Sequence, residues 1–119
     1  MIDIINIAAM LATIGLGLIG WLAPDYTMKV LDLSAGPSNR GKSEIRAASG
    51  ALFVGIAGAA LIISQPLAFA MVGFLYLGAG TGRITSIIVD GSGDRTIWIF
   101  FLCEWALAAW LILANLSIF

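Results

Sequence analysis

The stretch IINIAAMLATIGLGLIGWLA, residues 4–23, runs twenty positions without a charged side chain and stops at Pro24-Asp25. At about 1.5 Å of rise per residue such a helix covers the ~30 Å hydrocarbon core of a bilayer. Proline then removes a backbone donor and disfavours continuation. A cleaved leader would open with basic residues, whereas Asp3 is the charge that precedes this run. The segment therefore reads as a retained first membrane span.

The remainder of the chain repeats that pattern. Of 119 residues 61% are hydrophobic and 11% charged, with a mean hydropathy of +1.03; the charge is about half that of a soluble domain. Further apolar runs place span two at about 45–64, span three at about 67–89 beyond the Gln65-Pro66 break, and span four at about 96–118 beyond the turn DGSGDR, residues 90–95. Between spans one and two, PDYTMKVLDL sets Tyr26, Val30 and Leu33 against Asp25, Lys29 and Asp32, the pattern of a short interfacial helix. SAGPSNRGK, residues 34–42, reads as a loop. The predicted fold is an all-α membrane protein, a bundle of four transmembrane helices in one domain, residues 1–119, with a short interfacial helix after the first span.

Composition also excludes chemistry. The chain has no His and one Cys, Cys103, which leaves no disulfide framework, His/Cys zinc site, His-ligated haem or chlorophyll, or His-based acid–base catalysis. Ser43, Ser49 and Ser64 have no His to activate them, and Lys42 lies in the predicted loop. No catalytic constellation, cofactor site or metal site is expected. A net charge of -1 gives no reason to expect nucleic-acid binding. Gly15, Gly17 and Gly20 match the dinucleotide-binding glycine spacing, but that motif requires a βαβ unit, and here the glycines fall inside a membrane helix.

Basic residues set the expected orientation. Lys29, Arg40, Lys42 and Arg46 lie in or beside the first loop and Arg95 in the third, while the second turn and both chain ends have none. The excess of Lys and Arg on cytoplasmic loops puts the first and third loops in the cytoplasm and both termini on the periplasmic side. Trp21 and Trp98 then fall at the cytoplasmic interface. Lys29, Arg40 and Lys42 are expected to meet lipid headgroups, each gaining on the order of 1 kcal/mol from anionic lipid.

Two kinds of residue inside the spans are candidates for function. Small side chains let membrane helices approach: Ala47, Ala51, Gly55 and Ala59 form a four-spaced stripe on span two, Gly78 and Gly82 a GxxxG pair on span three, and Ala9, Thr13 and Gly17 a similar face on span one. Ionisable side chains are the second kind. Arg83 lies ~9 Å from the cytoplasmic end of span three and Glu104 ~12 Å into span four from the same side. An isolated charge there costs at least ~2.5–3.5 kcal/mol on insertion scales, so mutual pairing is predicted, with Glu44 and Arg46 at the mouth of span two extending the pair into a four-member cluster. The cluster reads either as a polar clamp or as a proton or cation site.

With those residues identified, a resemblance becomes visible. SEIRAASGALFVGIAG, residues 43–58, resembles the charged beginning and small-residue continuation of the second helix in a family of small bacterial four-helix membrane proteins. That family is classed as a domain of unknown function and is related to the DoxX-like proteins. GAGTGRITSIIVDG, residues 78–91, resembles its Gly-Arg segment with a following aspartate and glycine, and Glu104 matches its acidic position in the last helix. The resemblance covers the chain from about Ile14 onward and implies a bacterial inner-membrane bundle, without a substrate or reaction.

The functional expectation is a non-catalytic accessory or structural subunit whose partners are membrane lipids and other membrane subunits or itself. Electron-transport and light-harvesting assemblies are natural hosts. The alternative is a small homodimeric proton- or cation-coupled transporter that uses Glu104.

Overall fold

The structure is a computed structural model that describes residues 4–116. The last positions of the predicted fourth span, 117 and 118, lie outside the described residues. Its elements are α1 (Ile4–Leu22), α2 (Pro24–Val30), α3 (Arg40–Arg46), a π-helical turn (Ala47–Ala51), α4 (Leu52–Ile63), α5 (Pro66–Asp90) and α6 (Arg95–Asn115). The protein is all-α, and α3, the π-turn and α4 run on as one 24-residue helix, Arg40–Ile63. Together with α1, α5 and α6 this gives four helices long and apolar enough to cross a membrane. Leu11, Leu16, Ile62, Met71 and Leu102 on them are exposed, as suits helices that are apolar on every face and span a membrane.

The chain divides into two compact units, residues 4–63 and 64–116 among those described. In the first, α1 packs along α4 and the π-turn, and α2 and α3 join its end. In the second, α5 and α6 pair along their length.

Local chemistry accounts for the boundaries. Pro24 and Pro66 occupy the first turns of α2 and α5, where the missing N–H has no partner to lose. α2 closes with a Schellman arrangement: Asp32, at φ 58°, donates its N–H to the Lys29 carbonyl at 3.2 Å, and Leu33 donates to Met28 at 2.8 Å. Gly91, at φ 65°, ends α5 in the left-handed region that glycine enters without strain. Asp94 caps α6 by accepting the Ile97 N–H at 2.9 Å.

Three details depart from the sequence reading. The second membrane helix starts at Arg40 rather than Ile45, because the Ser/Gly/Pro run ends at Asn39 and the charged residues after it are helix formers that extend the helix past its apolar part. In α2 the buried residues are Pro24 and Met28, one turn apart, while Tyr26 and Val30 are exposed and Leu33 lies beyond the helix end. The third departure concerns the small residues. Ala47, Gly55 and Ala59 are exposed and Ala51 is half-buried; the buried positions on that helix are Ile45, Gly50, Ala57 and Ala60. From Ile45 to Gly50 the buried face advances five residues, which is the step of a π-turn. A stripe drawn at four-residue spacing through residues 47–51 therefore loses phase. On α5, Gly78 and Gly82 meet nothing within 4 Å, and the close approaches fall instead at Gly73 and Gly80.

Candidate functional site

The ionisable centre is built on α5 and α6. Arg83 is one turn beyond Gly80 on α5, and its Nε donates to Glu104 Oε1 on α6 at 2.6 Å. The two side chains are 32% and 16% exposed. The guanidinium carbon also lies 5.1 Å from the centroid of the Phe100 ring, within range of a cation–π attraction. One cation is thus met by a carboxylate and an aromatic face from two successive turns of α6.

Gly80 permits that approach. A Cβ there would fall on the Trp105 ring, and one at Gly73 would lie 2.9 Å from both Leu111 Cβ and Ile112 Cγ1. With neither present, α5 settles close against α6, and the Arg83–Glu104 contact closes at hydrogen-bonding distance. Trp105 lies 4.9 Å from Phe101, and Phe101 5.8 Å from Trp98, so an aromatic ladder continues from the ion pair toward the start of α6. Beyond it, Ser86 bonds Asp90 and Ser92 at 2.9 Å each, a polar knot across the turn into α6.

The other two members of the sequence-derived cluster belong to the first unit and have surroundings of their own. Arg46 Nη1 donates to the backbone carbonyl of Trp21, the penultimate residue of α1, at 2.6 Å. That carbonyl is one of the last four of α1, which lack an intrahelical donor; a cationic donor there also complements the helix dipole. Glu44 is exposed and makes no ion pair among the described residues.

Of the residues assigned to headgroups, Lys29 and Arg40 are exposed, and Lys42 pairs with Asp25 at 3.0 Å. Lys42 and Arg46, one turn apart, share an open cleft of about 460 Å³ with Trp21, Asn39, Ser43, Ala47 and Ala51. The sequence reading missed this cleft. Its signal was the four-residue spacing of Lys42 and Arg46 beside a tryptophan that ends a span, but only the folded α1 brings Trp21 to them.

Two further polar residues of the spans bond a carbonyl one turn back in their own helix. Thr13 Oγ1 donates to the Ala9 carbonyl at 2.8 Å and Asn115 Nδ2 to the Leu111 carbonyl at 2.8 Å. Cys103 is exposed beside Glu104. Among the described residues no group of three or more His, Cys, Asp or Glu side chains converges as a metal site would require.

No curated protein and no solved structure matches the chain. A family model does, over residues 1–115. That match takes in both units, the ion pair and the cleft, and on it the chain belongs to the family described as Domain of unknown function (DUF4345).

Proposed function

We propose that the protein is a non-catalytic integral membrane protein of a bacterial cytoplasmic membrane that packs as an accessory subunit against another membrane protein. The first and third loops would face the cytoplasm and both chain ends the periplasm, following the distribution of Lys and Arg.

One observation carries this reading: the small residues of the spans divide into two sets. Gly17, Gly20, Gly50, Gly73 and Gly80 are taken up in contacts within their units, whereas Gly15, Gly55, Gly58, Gly78 and Gly82 meet nothing within 4 Å. Glycine on a helix face exposed within its own unit adds no contact there and lowers helix propensity, yet it gives a second helix a smooth surface. Extraction from the native membrane in mild detergent, followed by gel filtration and mass spectrometry, tests the reading. Recovery in fixed stoichiometry with a larger membrane complex is expected; recovery solely as a monomer or homodimer overturns it.

The residual exposure of Glu104 favours a second reading, a small transporter that loads a proton or cation there. The 2.6 Å contact with Arg83 argues against it, because the carboxylate must break that contact before it can exchange anything. Proton-coupled transport in liposomes that disappears with Glu104→Gln would favour the transporter over the accessory subunit.

A further inference from the structure

We propose that the cleft between the end of α1 and the start of the second membrane helix binds the phosphate of an anionic phospholipid, with Lys42 and Arg46 as its cationic ligands. Asn39, Lys42, Ser43 and Arg46 line the cleft from one helix, and Trp21, Ala47 and Ala51 complete it with apolar surface. Polar donors thus sit at one end of a concave site and apolar side chains at the other, in the order that an amphiphile entering from the bilayer presents its head and its chains.

The donor set suits a phosphate. Lys42 offers three N–H donors and Arg46 a planar fork of five. Arg46 Nη1 is taken by the Trp21 carbonyl, which fixes the guanidinium at the cleft and leaves its other N–H groups for a ligand. The Ser43 hydroxyl and the Asn39 amide add neutral donors. Asp25 offsets the charge of Lys42 from a distance of 3.0 Å, and with its own side chain 81% exposed it is free to swing away when a phosphate arrives. With Asp25 displaced, Lys42 and Arg46 present two positive charges to the anionic phosphodiester.

Position supports the same ligand. Trp21 lies in the last turn of α1, and amphipathic indoles at span ends mark headgroup level. The π-turn begins directly after Arg46, and such turns break helix regularity frequently at functional sites. Lys29 and Arg40 are exposed and lie outside the cleft, so they serve as controls for a diffuse surface attraction.

The test is native mass spectrometry of the full chain, released from mixed vesicles of phosphatidylglycerol and phosphatidylcholine. One retained phosphatidylglycerol per chain is expected, enriched over phosphatidylcholine. Lys42→Gln and Arg46→Gln should each lower that retention about fivefold, the effect of one cation near an anionic surface. Lys29→Gln and Arg40→Gln should leave it unchanged. Lys42→Gln breaks only an exposed ion pair, so it reports on binding even if Arg46→Gln loosens the end of α1. Equal losses in all four variants would mean non-specific attraction and overturn the proposal. So would retention without headgroup preference, or displacement of the lipid by an equal concentration of glycerol phosphate, which would make a free phosphate ester the ligand.

Discussion

The two units hold their membrane helices together by different means. In residues 4–63 the closest contacts are backbone on backbone: a Cβ at Gly20 would fall on the Ser49 carbonyl, and one at Gly50 on the Trp21 amide nitrogen. In residues 64–116 the nearest atoms at the glycines belong to side chains, Trp105 at Gly80 and Leu111 with Ile112 at Gly73, and an ion pair is added between the helices. Lipid supplies no hydrophobic drive between helices. The first unit relies on close van der Waals contact, which requires glycine at particular positions, with the Arg46–Trp21 hydrogen bond at one end. The second uses a charge interaction that is strong because both partners would otherwise stand unpaired in a medium of low dielectric. The first should therefore fail abruptly under small changes of volume, and the second under changes of charge.

Substitution at the backbone contacts is expected to have the largest effect. Gly50→Val or Gly20→Val places carbon where main chain already lies, and neither helix can yield without separating. A loss of more than ~3 kcal/mol, beyond the usual range for overpacking, should appear as early thermal unfolding in detergent. Gly55→Val, on the same helix but with nothing within 4 Å, should leave the transition in place. Equal loss from Gly55→Val would show that the π-turn does not set the packing face.

Next comes the ion pair. Glu104→Gln leaves Arg83 unpaired and should destabilise the second unit by ~2.5–3.5 kcal/mol, the insertion penalty for a lone charge. Adding Arg83→Gln should restore part of that loss, and the double-mutant cycle measures the coupling. Additive losses would mean that the 2.6 Å contact contributes no coupling energy.

A smaller effect separates the two kinds of glycine contact. Gly80→Ala meets the Trp105 ring, a side chain that can turn aside, so a loss of about 1–2 kcal/mol is expected, with rescue by Trp105→Leu. Lack of rescue would make Gly80 resemble Gly50 and erase the distinction between the units. The smallest effect belongs to Gly78→Ala and Gly82→Ala. Removing backbone freedom at an exposed helical glycine should leave stability unchanged or raise it by roughly 0.5–1 kcal/mol. If these changes nonetheless abolish recovery with a larger complex, that face is where the partner docks.

How legible the molecule was differs along the chain for physical reasons. The pairing of Arg83 with Glu104 could be anticipated because each charge stands alone at comparable depth in an apolar helix, and the penalty of leaving either unmatched is large. The glycine faces could not be read in the same way. Gly78-Gly82 has the better-known spacing, yet Gly73 and Gly80, seven residues apart, are the ones that meet α6, because every glycine face is equally smooth and only the partner's side chains select among them. On span two the obstacle was the π-turn, since AASGA, residues 47–51, contains nothing that distinguishes an i→i+5 step from an ordinary helical turn.

The sequence by itself determined four apolar helices, their order, their breaks at Pro24, Pro66 and Gly91, and the charges that need partners. These are consequences of transfer free energy and backbone geometry, which each segment carries alone. The tertiary structure decided which face of each helix is buried, that the Trp21 carbonyl holds Arg46, and that Lys42, Arg46 and Trp21 line one open cleft. Those outcomes depend on the phase of one helix against another, a relation between segments that a five-residue step in the backbone is enough to change.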